Sequence, residues 1–258
     1  MNRSVLRFAA RHFWRDRAPG WCYLASRGLS VETMRTYGVG AARNEWRRLR
    51  NAATRDGFPL NDLTEAGLIR TSERSKSPYD VFRGRVMFPV FSPMGRVLGF
   101  GGRILPDFER DGTPKYINSP ATETYDKSRL LYGLHQARVA IRETGMAFLV
   151  EGYTDVLAMR EAGYQQAVAT CGTALTLEHA HLLAWSGAHR VFVAFDGDRA
   201  GIEAAGTAAG LLRSVGLEAP GVVLPEGQDP AGLLASHGRR AVWDAIAEAE
   251  IGASRVAV

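Results

Sequence analysis

Cysteine is nearly missing from this chain: Cys22 and Cys171 are the only two in 258 residues. Two thiols cannot build a disulfide framework, and six scattered histidines do not complete a four-ligand structural zinc site with them. They read as two reduced core thiols. Long apolar runs are missing as well. No stretch approaches the roughly 18 residues that span a bilayer, and no apolar signal segment with a small-residue cleavage site follows the basic N-terminus. The expected compartment is therefore the cytoplasm. There is no Gly-x-x-x-x-Gly-Lys-Ser/Thr phosphate loop, and the Gly101-Gly102 pair is not followed by a helical pattern, which argues against a P-loop ATPase and a dinucleotide-binding fold. No histidine spacing suggests a zinc hydrolase, and no Gly-x-Ser-x-Gly nucleophile elbow occurs. Internal repeats, coiled-coil heptads and low-complexity tracts are absent too.

What is present is ordinary for a globular chain: 46% hydrophobic and 23% charged residues, enough for one large or two modest domains. The net charge of +5 is unevenly distributed. Residues 1–85 hold 17 Lys and Arg against 8 Asp and Glu, while the remainder holds 15 against 19. A basic front and an acidic rear suit a polyanion partner at the front and cation binding behind, although surface arginines also serve solubility.

Residues 1–20 carry a helical apolar stripe (Val5, Leu6, Phe8, Ala9, Phe13, Trp14) that Ala18-Pro19-Gly20 is expected to break. A second helix is expected over 21–26, closed by Gly28. Ser30 reads as the N-cap of a short helix containing Thr33 and Met34 and stopped by Gly38. Residues 41–75 are mixed, with helical stretches and a polar loop over 72–77. Residues 86–91 and 97–102 read as a strand hairpin turning at Pro93-Met94-Gly95. A polar loop over 107–115 leads to a short strand at Tyr116-Ile117. From about Leu131, strands at 146–150, 166–170, 190–195 and 221–224 alternate with helices at 133–143, 154–161, 175–185 and 199–213. That alternation predicts a parallel sheet covered by helices on both faces.

Two of these strands end in carboxylates. One runs into Glu151-Gly152-Tyr153-Thr154-Asp155, the other into Asp196-Gly197-Asp198. In open α/β sheets, ligands bind beyond the carboxyl ends of the strands. Crowded carboxylates repel one another, and a hard divalent cation such as Mg²⁺ relieves that repulsion while keeping positions open for phosphate oxygens. Asp-Gly-Asp alone is weak, since turns favour these residues; its pairing with Glu-Gly after a second strand makes the signal. Asp155 could be a ligand, a group supporting the ligands, or an acid favoured by the helix dipole in a first turn.

The pair Glu-Gly-x-x-Asp and Asp-x-Asp on an alternating α/β unit resembles the Toprim domain, which occurs in primases, topoisomerases, nucleases and recombination proteins. Other stretches resemble the DnaG-type primase branch. They are Tyr23-Leu24-Ala25-Ser26-Arg27-Gly28-Leu29, Phe82-Arg83-Gly84-Arg85-Val86-Met87-Phe88-Pro89 and Gly95-Arg96-Val97-Leu98-Gly99-Phe100-Gly101-Gly102-Arg103. Pro114-Lys115-Tyr116-Ile117-Asn118-Ser119-Pro120, Tyr125-Asp126-Lys127-Ser128 and Leu131-Tyr132-Gly133-Leu134 lead into the Toprim motifs. Those are Val150 to Val156, Gly172-Thr173-Ala174, Phe195 to Gly201 and Gly227-Gln228-Asp229-Pro230. The resemblance runs in one order over residues 20–235. It implies an α/β fold in which a basic mixed α/β subdomain (1–127) precedes a Toprim subdomain with a parallel sheet flanked by helices (128–235) and a helical tail (236–258).

It also implies a function: template-directed synthesis of short RNA primers on single-stranded DNA from nucleoside triphosphates. Glu151, Asp196 and Asp198 would be the catalytic carboxylates. With Asp155 and Asp229 as contributors, they would bind two or more Mg²⁺ or Mn²⁺ ions. Arg27, Arg103, Lys115, Tyr116 and Lys127 match positions lining the family's groove for template and nucleotide phosphates, and Tyr116 could stack on a base. Such primases carry an N-terminal zinc module and a helicase-docking C-terminal domain; this chain has no residues for structural zinc. Two readings follow: the chain is an excised piece of a longer primase, or its zinc function sits on another chain, in which case the implied partners are a separate zinc-binding primase subunit and a replicative helicase, with no membrane, in a bacterial cell. A compact phage replication gene would fit. Ala231 stands where the family usually has another acid after Gly-x-Asp-Pro, which removes one ligand. The alternatives are a Toprim-type metal-dependent nuclease or phosphoester hydrolase, opposed by the primase-like stretch 82–132, and a non-catalytic DNA-binding or helicase-associated module, opposed by the crowded acids.

Overall fold

A computed structural model describes residues 3–72, 75–122 and 125–256. The chain divides into two compact units, one of residues 1–25 and 34–126, the other of 26–33 and 127–258. The first unit opens with α1 (Arg3–Arg15) and α2 (Ala18–Ala25); the division falls within α3 (Val31–Thr36). There follow β1 (Gly40–Ala42), α4 (Arg48–Arg55), α5 (Leu60–Glu65), β2 (Ile69–Ser72), β3 (Ser75–Asp80), β4 (Arg85–Phe91), β5 (Val97–Ile104) and β6 (Tyr116–Asn118). Strands β1, β4, β5 and β6 form one antiparallel sheet in that order, and β2 pairs with β3. The apolar face of α1 is the expected one: Val5, Leu6, Phe8, Ala9 and Phe13 are buried. Phe13 meets the edges of Phe82 and Phe100 at 6.3 and 5.2 Å, which locks helix to sheet.

Three expectations are corrected here. Ala18-Pro19-Gly20 does not break a helix but starts α2, because proline is well placed in a first turn, where its missing N–H has no partner to lose. The break lies at Asp16-Arg17. Gly20 is buried at the point where a Cβ would sit 3.0 Å from the Gly40 carbonyl. The polar stretch 72–77 is largely strand, since β2 and β3 flank it; Glu73 and Arg74 lie outside the described residues. Cys22 is exposed, so only Cys171 is a core thiol.

The second unit contains α6 (Leu134–Thr144), β7 (Met146–Val150), α7 (Tyr153–Glu161), β8 (Ala167–Ala169), α8 (Leu177–Trp185), β9 (Arg190–Val193), α9 (Arg199–Ser214), α10 (Pro230–His237) and α11 (Arg239–Val256). Its parallel sheet has the order β8-β7-β9. The strand expected over 221–224 is not formed. Glu218 and Gly221 make only isolated parallel bridges to Arg190 and Val193, because Pro220 has no N–H with which to continue a ladder. Strand β7 is buried on both faces. Ala147 and Leu149 join the cluster of Ala137, Ile141, Leu183 and Leu212, while Phe148 stacks on Phe192 at 5.0 Å and meets Tyr164. Continuous apolar strands of this kind are what a helix-covered parallel sheet requires. No helix among the described residues is long and apolar enough to cross a membrane.

Candidate active site and nucleic-acid interface

The order β8-β7-β9 puts β7 in the middle, so the chain leaves it to one side and returns to the other. In open α/β sheets the crevice that takes the ligand lies beyond the carboxyl end of the strand where such a reversal occurs. Glu151 is the first residue after β7, and Asp196 follows β9 by three positions. The two strand ends are tied together: the Asp196 N–H donates to Glu151 Oε1 at 3.1 Å, and the Cys171 N–H donates to the Glu151 carbonyl at 3.0 Å. Cys171 holds φ 57°, the only left-handed non-glycine residue among those described, and Gly172 follows at φ 88°. The turn after β8 is thus bent hard against the Glu151 backbone.

Asp155 stands in the first turn of α7 and is buried. Its Oδ2 accepts from the Gly152 N–H at 2.9 Å and its Oδ1 from the Ala231 N–H at 3.3 Å. Burial pushes its carboxyl up to about 7, with the negative charges of Asp229 and Asp196 adding to the rise and the two N–H bonds opposing it. Asp198 caps α9 by accepting from the Gly201 N–H at 2.7 Å, and Asp229 caps α10 by accepting from the Gly232 N–H. Gly197 and Gly201 are obligatory. A Cβ on the first would lie 2.2 Å from the Pro225 carbonyl oxygen, and on the second 2.2 Å from that of Asp196.

The structure therefore gathers Asp155, Asp196 and Asp229 within electrostatic reach and links Glu151 to Asp196, while Asp198 is exposed at the head of α9. Among the described residues no three metal-ligating side chains converge as a ready-made cation cage. All the donors are hard carboxylate oxygens, and the charges of Asp229 and Asp196 add to the rise that burial gives Asp155. That donor set fits a cation of the Mg²⁺ type, which takes one or two carboxylates and completes its shell with water and substrate phosphate. Glu151, Asp196 and Asp198 are the residues that would hold it, with Asp155 bracing the β7–α7 turn to the head of α10.

The five expected basic and aromatic contacts are divided between the units. Arg103 and Tyr116 face each other across β5 and β6, with Arg103 Nη1 donating to the Tyr116 hydroxyl at 2.9 Å and its guanidinium lying 5.4 Å from the Tyr23 ring. Burial strips water from Arg103, but the oxygens of Tyr116 and Tyr23 outweigh this and hold it charged. Lys115, next to Tyr116, is exposed. Arg27 and Lys127 belong to the unit with the carboxylates. The segment carrying Arg27 is fastened by Glu161, whose Oε2 accepts from the Ser30 N–H, the Ser30 hydroxyl and the Thr33 hydroxyl at 3.1, 2.8 and 2.6 Å. Lys127 lies near Cys171: burial drives that thiol's pKa up, and the Lys127 charge pulls it down.

Sequence reading missed a second cationic surface, in the first unit. Arg83 lies 4.1 Å over the Trp46 ring and 5.3 Å from that of Tyr79. Arg70 donates to the Tyr79 hydroxyl at 2.7 Å. Trp46 is 63% exposed. Arg70 and Arg83 also line a concavity of about 880 Å³ that includes Arg85, Arg110 and Asn118 and contains no carboxylate, while Trp46 and Tyr79 line a separate one with Arg47 and Ser72. Arg85 is buried and spends its guanidinium on the carbonyls of Gly102, Pro114 and Lys115. Aromatic rings interleaved with arginines suit a single nucleic-acid strand: bases stack on the rings and phosphates meet the cations. The basic bias of residues 1–85 was the available signal, but Trp46 and Tyr79 meet only through the fold.

Known proteins bear on this arrangement. A family model described as DNA primase catalytic core, N-terminal domain, matches residues 9–138, and one described as Toprim-like matches residues 148–234. A DNA primase of Deinococcus radiodurans is 40% identical over 242 residues, which cover 92% of this chain but 41% of that protein. The chain therefore spans less than half the length of this relative. The RNA polymerase domain of Mycobacterium tuberculosis primase DnaG superposes with a TM-score of 0.85 at 33% identity, covering 96% of this chain and 84% of that one. A DnaG primase catalytic domain bound to single-stranded DNA superposes with a TM-score of 0.82 at 35% identity, covering 95% and 78%. On this match, over nearly its whole length, the chain belongs to the DnaG-type DNA primase catalytic-core family.

Proposed function

We propose that the chain is the primer-synthesising core of a DNA primase, a nucleotidyltransferase that copies single-stranded DNA into short RNA for replication. The observation that carries this reading is the gathering of Asp155, Asp196 and Asp229 within electrostatic reach, with Asp196 hydrogen-bonded to Glu151 at the end of β7, where the sheet order reverses. In the reaction the 3′-hydroxyl of the growing RNA attacks the α-phosphorus of an incoming nucleoside triphosphate. A new P–O bond forms, the bond to pyrophosphate breaks, and the hydroxyl proton is released. Bound Mg²⁺ or Mn²⁺ supplies a lowered hydroxyl pKa and charge neutralisation on the departing pyrophosphate. Glu151, Asp196 and Asp198 would hold those ions from the protein side. Asp155 keeps the β7–α7 turn fixed against α10 so that Glu151 and Asp229 stay aligned.

The basic residues have two tasks. Lys127 and Arg27, on the unit with the carboxylates, meet triphosphate oxygens. Arg103, Lys115 and Tyr116, together with Arg70, Arg83, Trp46 and Tyr79, track the template strand, with rings stacking bases and guanidiniums neutralising phosphates. A zinc-bearing module that selects the start site and a replicative helicase are the partners this reading calls for.

The test is primer synthesis on mixed-sequence single-stranded DNA with labelled ribonucleotides and Mg²⁺ or Mn²⁺, run beside Asp196→Ala. Short labelled products from the wild type alone are expected. Products from both proteins would remove Asp196 from the site. Cleavage of DNA without nucleotides would replace synthesis by hydrolysis at the same carboxylates.

A further inference from the structure

The N-terminus of α8 holds a buried histidine that the reading above does not use. His179 is 0% exposed. Its Nδ1 accepts from the Thr176 N–H at 3.2 Å, and the Thr176 hydroxyl in turn accepts from the His179 N–H at 3.2 Å. This reciprocal pair closes the helix start. It also fixes the tautomer. With Nδ1 accepting, the ring proton sits on Nε2, which lies 2.7 Å from the Lys127 carbonyl. A carbonyl only accepts, so Nε2–H donates to it. The Thr176 hydroxyl donates to the neighbouring Ser128 carbonyl at 2.5 Å. The head of α8 thus grips two consecutive backbone carbonyls of the short turn Lys127–Arg129.

A helix start needs its own N–H groups capped; it does not need to hold carbonyls about fifty residues away. We propose that His179 is a positioning residue for Lys127, anchoring its main chain so that its side chain extends from a fixed point on the unit that carries the carboxylates, ready for a nucleotide phosphate. This rests on the reading of Lys127 as a phosphate contact. A lysine on a free turn would lose the entropy of its backbone as well as its side chain on binding; the anchored turn leaves only the side chain to order.

Two isosteric variants separate this role from helix capping. The amide oxygen of Asn occupies the place of Nδ1, so His179→Asn keeps the Thr176 bond and loses the reach to Lys127. The amide nitrogen of Gln occupies the place of Nε2, so His179→Gln keeps the donor to Lys127 and loses the acceptor for Thr176. The readout is equilibrium binding of ATP with Mg²⁺, with thermal melting as a check on folding. Lys127→Ala is expected to weaken ATP binding about tenfold, the loss of one charge-assisted hydrogen bond. His179→Asn should weaken it about threefold or more, with no further loss when added to Lys127→Ala, and His179→Gln should stay within about twofold of wild type. Equal losses in the Asn and Gln variants, or an additive loss on top of Lys127→Ala, would overturn the positioning role while leaving Lys127 as a contact. Unchanged binding in Lys127→Ala, or no saturable binding by the wild type, would overturn the phosphate contact and the positioning role together.

Discussion

The backbone N–H of Asp196 donates to the side chain of Glu151 at 3.1 Å, so one carboxylate of the crevice orients the loop that carries the next. The bond needs an acceptor oxygen and not a negative charge, which makes the two properties of Glu151 separable. Glu151→Gln retains the acceptor and removes the charge. Its stability should stay within about 1 kcal/mol of wild type, whereas Glu151→Ala also leaves the Asp196 N–H without its partner and should cost about 1–3 kcal/mol. Both should lose primer synthesis. Denaturant melts beside a priming assay check this; full activity in the Gln variant would show that Glu151 acts through its hydrogen bond alone.

Asp198 offers a similar separation at the head of α9. Its Oδ1 caps the helix through the Gly201 N–H at 2.7 Å. Asn caps as well as Asp, while Ala does not cap. Asp198→Ala should therefore lose about 0.5–2 kcal/mol of stability and Asp198→Asn very little, with synthesis falling in both. Full synthesis in Asp198→Asn, with loss only in Asp198→Ala, would mean that capping is the whole of its role.

How much of this was legible beforehand depended on whether the signal was local. The carboxylates sit within a few residues of apolar strand ends, so Glu151, Asp196 and Asp198 could be placed on strand-to-helix turns from periodicity alone. The stripe on α1 was equally plain, because helical spacing is a local property. The segment over 221–224 misled, since an apolar run after Gly221 looks like a strand until the unpaired ladder beside Pro220 is seen. The Trp46–Arg83–Tyr79 surface joins residues 33 positions apart through β3 and the loop after it, and no window of sequence contains it. Asp155 was left between three roles. Only the fold shows that one of its oxygens reaches Ala231, 76 residues away, at the position where the family motif led to an acid.

Trp46 is exposed and packs on Arg83, so its removal should scarcely touch the core. Trp46→Ala should melt within about 0.5 kcal/mol of wild type while losing about 1–3 kcal/mol of single-stranded DNA affinity, the worth of one stacked base. Arg70→Ala should weaken binding across all sequences and lower the steepness of the salt dependence by about 0.7, one phosphate's share for a single strand. Titrations of labelled oligonucleotides at several salt concentrations give both numbers. An unchanged salt slope in Arg70→Ala would remove this surface from the template path.

Asp80 makes stability depend on pH in a direction that most surface carboxylates would not. It is buried, and its oxygens accept from the N–H groups of Leu49 and Arg50 at 2.7 and 3.0 Å, capping α4 from the end of β3. Burial pushes its carboxyl from 3.8 up to about 6, against the pull of those two N–H bonds and of the Arg83 and Arg50 charges. The folded protein therefore holds this proton more tightly than the unfolded chain. The contribution is fully present below about pH 4, is lost as pH rises through 6, and stays lost above it, a total of up to about 3 kcal/mol. Asp16 runs the other way: burial raises its carboxyl, but the Arg48 bond and the charges around it prevail and lower it, so its contribution is lost as pH falls. Comparing wild type with Asp80→Asn at each pH cancels Asp16 and isolates Asp80. The stability difference, wild type minus variant, should fall between pH 4 and 6.5 and be flat from there to pH 8. A difference constant from pH 4 to 8 would mean that the two N–H bonds and the neighbouring arginines fully offset the burial of Asp80, leaving it an ordinary ionised cap.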